Sequence, residues 1–295
     1  MCLKISEDLF INDFHKRFKK SGVSPEVVQL FQKFVYKYYK NHKRKFPFRE
    51  NITPYNVLIS EIMLQQTQTG QVTEKFLKFT KKFPSFSSLS KAPLEDILKE
   101  WKGLGYNRRA IALKKIADTV IKDFNGKLPE SIDILVSFPQ IGYNTASSII
   151  TFAFNKPTAF IETNIRRVYI YFFFPNRNKI NDKEILPIVK KTLDRSNPRD
   201  WYYALMDYGV MLKKTHPDLN KKSTHYRKQA PFKGSTREVR GKILDLLIKK
   251  GKMDLKNIQT QLGNMGNKTI IVALNQLRKE GFLEITNEII TLNKK

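Results

Sequence analysis

Between Thr53-Pro54 and about residue 215 the chain repeats one pattern nine times. YNVLISEIMLQQT, VTEKFLKFTKKF, LEDILKEW, RRAIALKKIADTVIKDF, SIDILVSF, NTASSIITFAF, NIRRVYIYFFF, DKEILPIVKKTL and WYYALMDYGVMLK each return apolar residues at helical spacing. Connections of four to ten residues separate them, short enough for a compact helical domain. Thr53-Pro54 reads as a helix start, because threonine caps free N–H groups and proline tolerates the first helical position. Strand periodicity is scarce before residue 280. The expected fold is all-α.

Residues 1–45 hold eleven Lys/Arg and four Asp/Glu, with an amphipathic stretch at 27–40, VVQLFQKFVYKYYK. Residues 1–27 are read as a basic extension and 28–215 as the core. Residues 216–236 are read as a polar, basic, proline-containing linker. The segment 237–295 forms a separable unit. It has three helical patterns and then FLEITNEIITL, which alternates apolar and polar residues about Thr286-Asn287 as a hairpin does. Three helices and a hairpin describe a winged helix, whose third helix carries Lys268, Arg278 and Lys279 and suits DNA docking. The same architecture also serves protein–protein contacts.

Charge narrows the partner. Lys and Arg number 54 against 27 Asp and Glu, a net charge of +27 at a pI near 10.0. On a folded chain with 12% aromatics this points to a polyanion. Nucleic acid is the usual one, while an anionic membrane or ribosomal RNA would give the same number. No run approaches 18 uncharged apolar residues, and MCLKISEDLFINDF lacks a signal-peptide core, so neither a membrane span nor a leader is expected. Cys2 is the one cysteine, so no disulfide framework and no Cys-ligated zinc or iron–sulfur site can be assembled. His15, His42, His216 and His225 have no metal-ligand spacing. Metal-free acid–base chemistry is expected.

One segment joins two helical patterns through a Pro-x-x-Gly turn: Leu135-Val136-Ser137-Phe138-Pro139-Gln140-Ile141-Gly142-Tyr143-Asn144-Thr145-Ala146. Gly142 is expected to supply a positive φ or a close backbone approach. Thr145 stands near the next helix start, where free N–H groups attract phosphate. This is a helix-hairpin-helix arrangement, in which Gln140, Gly142, Tyr143 and Thr145 would meet a nucleic-acid backbone. Carbonyls in such a hairpin can hold a monovalent cation. Alone, the motif is equally an ordinary turn.

The segments PFRENITPYNVLISEIMLQQTQTGQV, ILKEWKGLGYNRRAIALKKIA, GKLPESIDILVSFPQIGYNTASSII and FIETNIRRV together resemble the helix-hairpin-helix (HhH-GPD) DNA glycosylases in order and spacing. The resemblance spans 28–215 and is greatest to the adenine glycosylase (MutY-like) branch. It implies a two-lobed helical core acting on duplex DNA in base excision repair, followed here by the winged-helix-like domain. Glu61 matches the acid that protonates a purine ring nitrogen, and burial among Ile59, Ile62, Met63 and Leu64 would favour its protonated form. Glu162 stands where the family carries its catalytic Asp, ahead of a helix N-terminus that favours a carboxylate. Asn164 matches the branch's own asparagine. Asn144 replaces the lysine of bifunctional relatives, which implies hydrolysis with little strand cleavage. Gln65 and Gln66 match the intercalating amides, Leu104 and Tyr106 the second wedge, and Arg49 a pocket residue.

Departures are equally specific. Phe48 replaces a frequent Trp, and Gln140 replaces the usual hairpin glycine. The iron–sulfur loop is missing, and the winged helix stands where the branch carries its 8-oxoguanine-recognition domain. The resemblance therefore implies a monomeric, monofunctional glycosylase for an adenine-like purine without an iron–sulfur cluster. Expected placement is cytoplasmic at the nucleoid, or nuclear in a eukaryote, with no membrane partner. Uracil, thymine or damaged-base excision, and a DNA-binding relative without catalysis, are the alternatives.

Overall fold

The computed structural model describes residues 2–293, with side chains from residue 9 onward. Among the described residues there are sixteen α-helices and three short strands. None of these helices is long and apolar enough to cross a membrane. The chain divides into two compact units, each assembled from two separated stretches.

The first unit takes residues up to Lys45 together with Tyr143–Lys228. Its helices are Cys2–Ser21, Pro25–His42, Tyr143–Phe154, Thr163–Phe173, Asp182–Thr192 and Pro198–Thr215. Val27, Phe31, Val35 and Tyr39 recur every four residues on Pro25–His42, so one face of that helix is buried. Phe31 meets Phe172, Phe173 and Trp201 edge-on, and Phe14 meets Phe172 and Phe173 the same way. Each fully buried ring of this kind contributes about 1.5–3 kcal/mol through lost apolar surface. Ile11 and Phe14 are buried in this cluster. Most of the expected extension 1–27 is therefore the helix Cys2–Ser21, an integral part of the first unit, because its apolar stripe has aromatic partners some 160 residues away.

The second unit takes Phe46–Gly142 and the chain from Gln229 onward. Helices Pro54–Leu64, Thr69–Lys82, Leu94–Trp101 and Arg108–Asp123 surround Leu58, Ile62, Phe76, Phe79, Trp101, Leu113 and Ile116, all nearly or fully buried. Thr53 accepts from Asn56 N at 3.1 Å, and Pro54 holds the first helical position, as its sequence signal requires. Helices Thr236–Lys250, Leu255–Gln261 and Asn267–Lys279 follow, with strands β1 (Lys252–Asp254), β2 (Leu283–Thr286) and β3 (Ile289–Leu292). The sheet order is β1-β3-β2, antiparallel throughout, with Ile290 opposite both Met253 and Ile285. Asn287 and Glu288 both have positive φ, 50° and 64°, as a two-residue hairpin turn demands. The strand β1 went unforeseen because three residues carry no readable alternation.

The expected linker 216–236 also divides. Its first part closes a 3₁₀ turn, Leu219–Lys222, and a parallel bridge joins Ser223 to Ile180. Leu219, Asn220 and Ser223 are buried there, so this part belongs to the first unit.

Candidate functional site

In the first unit the site is built on one helix end. Glu162 is the N-cap of Thr163–Phe173: its Oε1 accepts from Asn164 N at 2.7 Å and Ile165 N at 2.9 Å. Asn164 Nδ2 donates to its Oε2 at 3.2 Å. Three donors and the positive end of the helix thus converge on one half-buried carboxylate. The orientation of the Asn164 amide follows from its other side, where Arg167 Nη1 donates to Oδ1 at 2.8 Å. The same Nη1 donates to Gly209 O at 2.7 Å. Arg167 is 4% exposed. Burial lowers its pKa, an effect partly opposed by the negative charge of Glu162. Asn144 Oδ1 accepts from Ile161 N at 3.4 Å, which brings the asparagine beside the residue preceding Glu162. Gly209 lies against Asn164: a Cβ there would stand 2.5 Å from the Asn164 carbonyl oxygen.

In the second unit two loops are tied together by one buried cation. Helix Pro54–Leu64 buries every residue from Tyr55 to Ser60, whereas Glu61 is half-buried and less enclosed than its neighbours in sequence suggest. The helix stops at Gln65, and Gln66 turns left-handed with φ 55°. Arg109, 2% exposed, donates through Nη1 to the carbonyls of Ile62, Met63 and Gln65 at 3.0, 2.8 and 2.6 Å. Through Nη2 it donates to Thr67 Oγ1, Leu104 O and Gly105 O at 3.0, 3.0 and 2.9 Å. It thereby satisfies carbonyls left open at a helix C-terminus and holds them to the next loop. Burial pushes the guanidinium down to about 10, with Tyr106 opposing the shift, so it stays charged at neutral pH.

Leu104 requires a correction. It is 5% exposed, packed inward, and supplies no outward wedge; the apolar side chain is worth more in the core. Tyr106 is half-buried with φ 47°, and its ring lies 5.6 Å from the Arg109 guanidinium.

The hairpin also differs from expectation. Helix Ile132–Ser137 ends, Ile141 N donates to Phe138 O at 3.3 Å, and the left-handed residue is Gln140 with φ 63°. Gly142 has no positive φ, and a Cβ placed on it would meet nothing within 4 Å. The turn is closed by the residue that replaced glycine, and the space over Gly142 is open to an incoming group. Gln65 Nε2 donates to Gln140 O at 3.0 Å, joining the hairpin to the first loop. Of the carbonyls available to the expected monovalent cation, Gln140 O and Phe138 O each already accept one hydrogen bond. Tyr143 and Asn144 are exposed and Thr145 is half-buried at the start of Tyr143–Phe154.

Gln65, Gln66, Leu104, Tyr106 and Gln140 line one cavity of about 930 Å³ in the second unit. Asn144, Glu162 and Asn164 gather in the first. Arg49, on the short helix Pro47–Glu50, stacks 5.2 Å over the Phe46 ring, outside that cavity's lining. Lys268 and Arg278 are exposed on Asn267–Lys279 and also lie outside the lining. Sequence reasoning missed Arg109, Arg167 and Gly209. Arg109 had a legible signal: it sits on the apolar stripe with Leu113, Ile116 and Val120, where an arginine needs a polar reason. An iron–sulfur cluster does not fit this chain, since a single cysteine cannot supply its thiolates.

Residues 59–193 match the model of the family described as HhH-GPD superfamily base excision DNA repair protein. The adenine DNA glycosylase of Buchnera aphidicola subsp. Baizongia pistaciae is 36% identical over 197 residues, covering 65% of this chain and 55% of that protein. This chain thus spans about half the length of that adenine glycosylase. The thymine/uracil-DNA glycosylase of Methanothermobacter thermautotrophicus is 30% identical over 188 residues, 62% of this chain and 85% of that protein. Among solved structures, a thermostable thymine-DNA glycosylase superposes with a TM-score of 0.57 at 27% identity, covering 68% of this chain and 96% of that one. An endonuclease III–DNA complex superposes at 0.51 and 18% identity, covering 70% of this chain and 90% of that one, a likeness of fold.

Proposed function

Since the chain belongs to the HhH-GPD superfamily of base excision DNA repair proteins, we propose that it is a monofunctional DNA glycosylase acting on an adenine-like purine in duplex DNA. The target base leaves the stack at a cost of a few kcal/mol, and Gln65, Gln66 and Tyr106 occupy the gap it leaves. Glu61 gives a proton to a ring nitrogen of the purine, so that the base departs neutral as the C1′–N bond breaks with its electron pair. Glu162 stabilises the positive sugar, and water adds at C1′ and releases a proton. Arg49 contacts the extruded base. The exposed Gly142 and the amides after it meet a phosphate, as do Tyr143 and Thr145. Lys268 and Arg278 add backbone contacts from the C-terminal, winged-helix-like part. The protein works as a monomer.

The observation that carries this reading is the Glu162 carboxylate, held by Asn164 N, Ile165 N and Asn164 Nδ2 at a helix N-terminus. A carboxylate so positioned suits electrostatic stabilisation of a cationic sugar. Asn144 in place of lysine supports hydrolysis without a Schiff base. A second reading, removal of thymine or uracil, draws on the thymine/uracil relative, 85% of whose length is matched.

Duplexes carrying A, T, U, hypoxanthine or 8-oxoguanine in defined pairs, with and without alkali, test both. Release of adenine with breaks appearing only after alkali supports the first reading, and release of thymine or uracil alone supports the second. Glu61→Gln should abolish purine release while the fold is retained. Borohydride trapping of a covalent complex would overturn the monofunctional assignment, and silence on every duplex would favour a binding protein.

A further inference from the structure

The loop Lys102–Asn107 joins helices Leu94–Trp101 and Arg108–Asp123, and it carries Tyr106. Three of its six residues are left-handed: Gly103 at 93°, Gly105 at 68° and Tyr106 at 47°. A non-glycine residue in that region persists only where surrounding contacts over-determine it. From the inner side those contacts come from Arg109, which takes the carbonyls of Leu104 and Gly105, and from Trp101 Nε1, which donates to Gly105 O at 3.0 Å.

From the outer side the contacts to the Tyr106 side chain and to the two ends of the loop come from the C-terminal part of the second unit. Arg237 Nη1 donates to the Tyr106 hydroxyl at 2.7 Å, and Gln229 Nε2 donates to the same oxygen. The Arg237 guanidinium also stands 5.5 Å from the Tyr106 ring centroid, close to the 5.6 Å of Arg109. Arg237 is anchored in turn, because its Nη2 donates to Ala230 O at 2.6 Å. At the two ends of the loop, Lys102 pairs with Asp245 at 2.9 Å and Arg108 with Glu280 at 2.6 Å. Glu280 is gripped again by Arg240. Of these charged pairs only Glu280 and Arg240 are well shielded, their side chains 15% and 13% exposed, whereas Arg108 is 60% exposed. The middle and both ends of one strained loop thus meet helix Thr236–Lys250, the segment just before it, and Glu280 at the end of Asn267–Lys279.

We propose that the C-terminal domain braces the loop bearing Tyr106, with Arg237 as the positioning residue that sets the tyrosine side chain for insertion into the duplex. Insertion rests on the glycosylase reading above; the bracing does not. The chain places on its C-terminal helices a support for the element that fills the vacated stack.

The full-length chain gives two separate tests. Hydrogen exchange of the free protein reads the loop directly: Arg237→Ala should speed exchange across residues 102–108 about tenfold, the size expected for one lost charge-assisted hydrogen bond, with residues 54–64 unchanged. Gln229→Ala should speed it severalfold, and it serves if Arg237→Ala fails to fold. In the second test Arg237→Ala should lower single-turnover base release about tenfold while KM and affinity for undamaged duplex hold, with Arg237→Lys partly restoring the rate. Tyr106→Phe should lower release alone but add less than about twofold on top of Arg237→Ala, since the two act through one contact. Unchanged loop exchange, additive losses, or faster release in Arg237→Ala would each overturn the brace. A wild-type protein that releases no base overturns the glycosylase reading, and exchange still decides the brace.

Discussion

Gly209→Ala separates what a helix prefers from what this packing permits. Gly209 is buried within the helix Pro198–Thr215, where propensity alone would have alanine stabilise by about 1 kcal/mol. The new Cβ, however, would lie 2.5 Å from the Asn164 carbonyl oxygen and 2.8 Å from both its carbonyl carbon and its Cβ, against ordinary contact from 3.4 Å. The obstacle is chiefly backbone, which has no rotamer to change. The two helices must part by close to an ångström, in a core that already holds Trp201, Tyr208 and Ile165 fully buried. Overpacking of this kind costs about 3 kcal/mol at the upper end of its usual range. Less the propensity gain, the net loss is about 2 kcal/mol, or roughly 4–8 °C in melting temperature for a unit of this size. The displaced residue is the one whose N–H and side-chain amide hold Glu162, so base release should fall on the order of 10²-fold at temperatures where the variant is folded. Calorimetry paired with single-turnover kinetics checks both numbers. A Gly209→Ala protein as stable as the wild type, or more so, would refute the rigid close approach.

Three further outcomes follow from named contacts. Burial alone would raise the Glu280 carboxyl, but Arg240 and Arg108 outweigh it and hold the group at about 2 against an ordinary 4.5. A depressed folded value means stability that is present above pH 4.5 and lost as pH falls toward 2, on the order of 2 kcal/mol after allowance for screening; urea midpoints of Glu280→Gln should therefore fall less steeply across that window than those of the wild type. Arg109→Met should cost roughly 3 kcal/mol or more, because buried carbonyls on two loops lose their donor, and a loss below about 1 kcal/mol by urea denaturation would contradict the clamp. Lys268→Ala and Arg278→Ala should each weaken duplex binding uniformly across sequences and lower the slope of log affinity on log salt by about one, an effect that salt titration reads directly.

Much of this protein is legible in its sequence, wherever the signal is local. Thr53-Pro54 starts its helix, Asn287 sits in the hairpin turn, and the pattern Val27, Phe31, Val35, Tyr39 marks a buried face, because caps, turns and periodicity depend on residues a few positions apart. The motifs likewise marked Glu61, Glu162, Asn164 and the amides Gln65 and Gln66 as candidates. What they could not show is which residue does which task. Gln140, and not Gly142, takes the left-handed turn; Leu104 turns inward; and helix Cys2–Ser21 joins a core completed from beyond residue 143. Arg109 binding Ile62 O from 47 residues away, and Gly209 yielding to the backbone of Asn164, are decided by tertiary structure alone. A buried carbonyl must find its donor and two helices must find their separation only after the chain has brought distant segments together, and no local pattern records those distances.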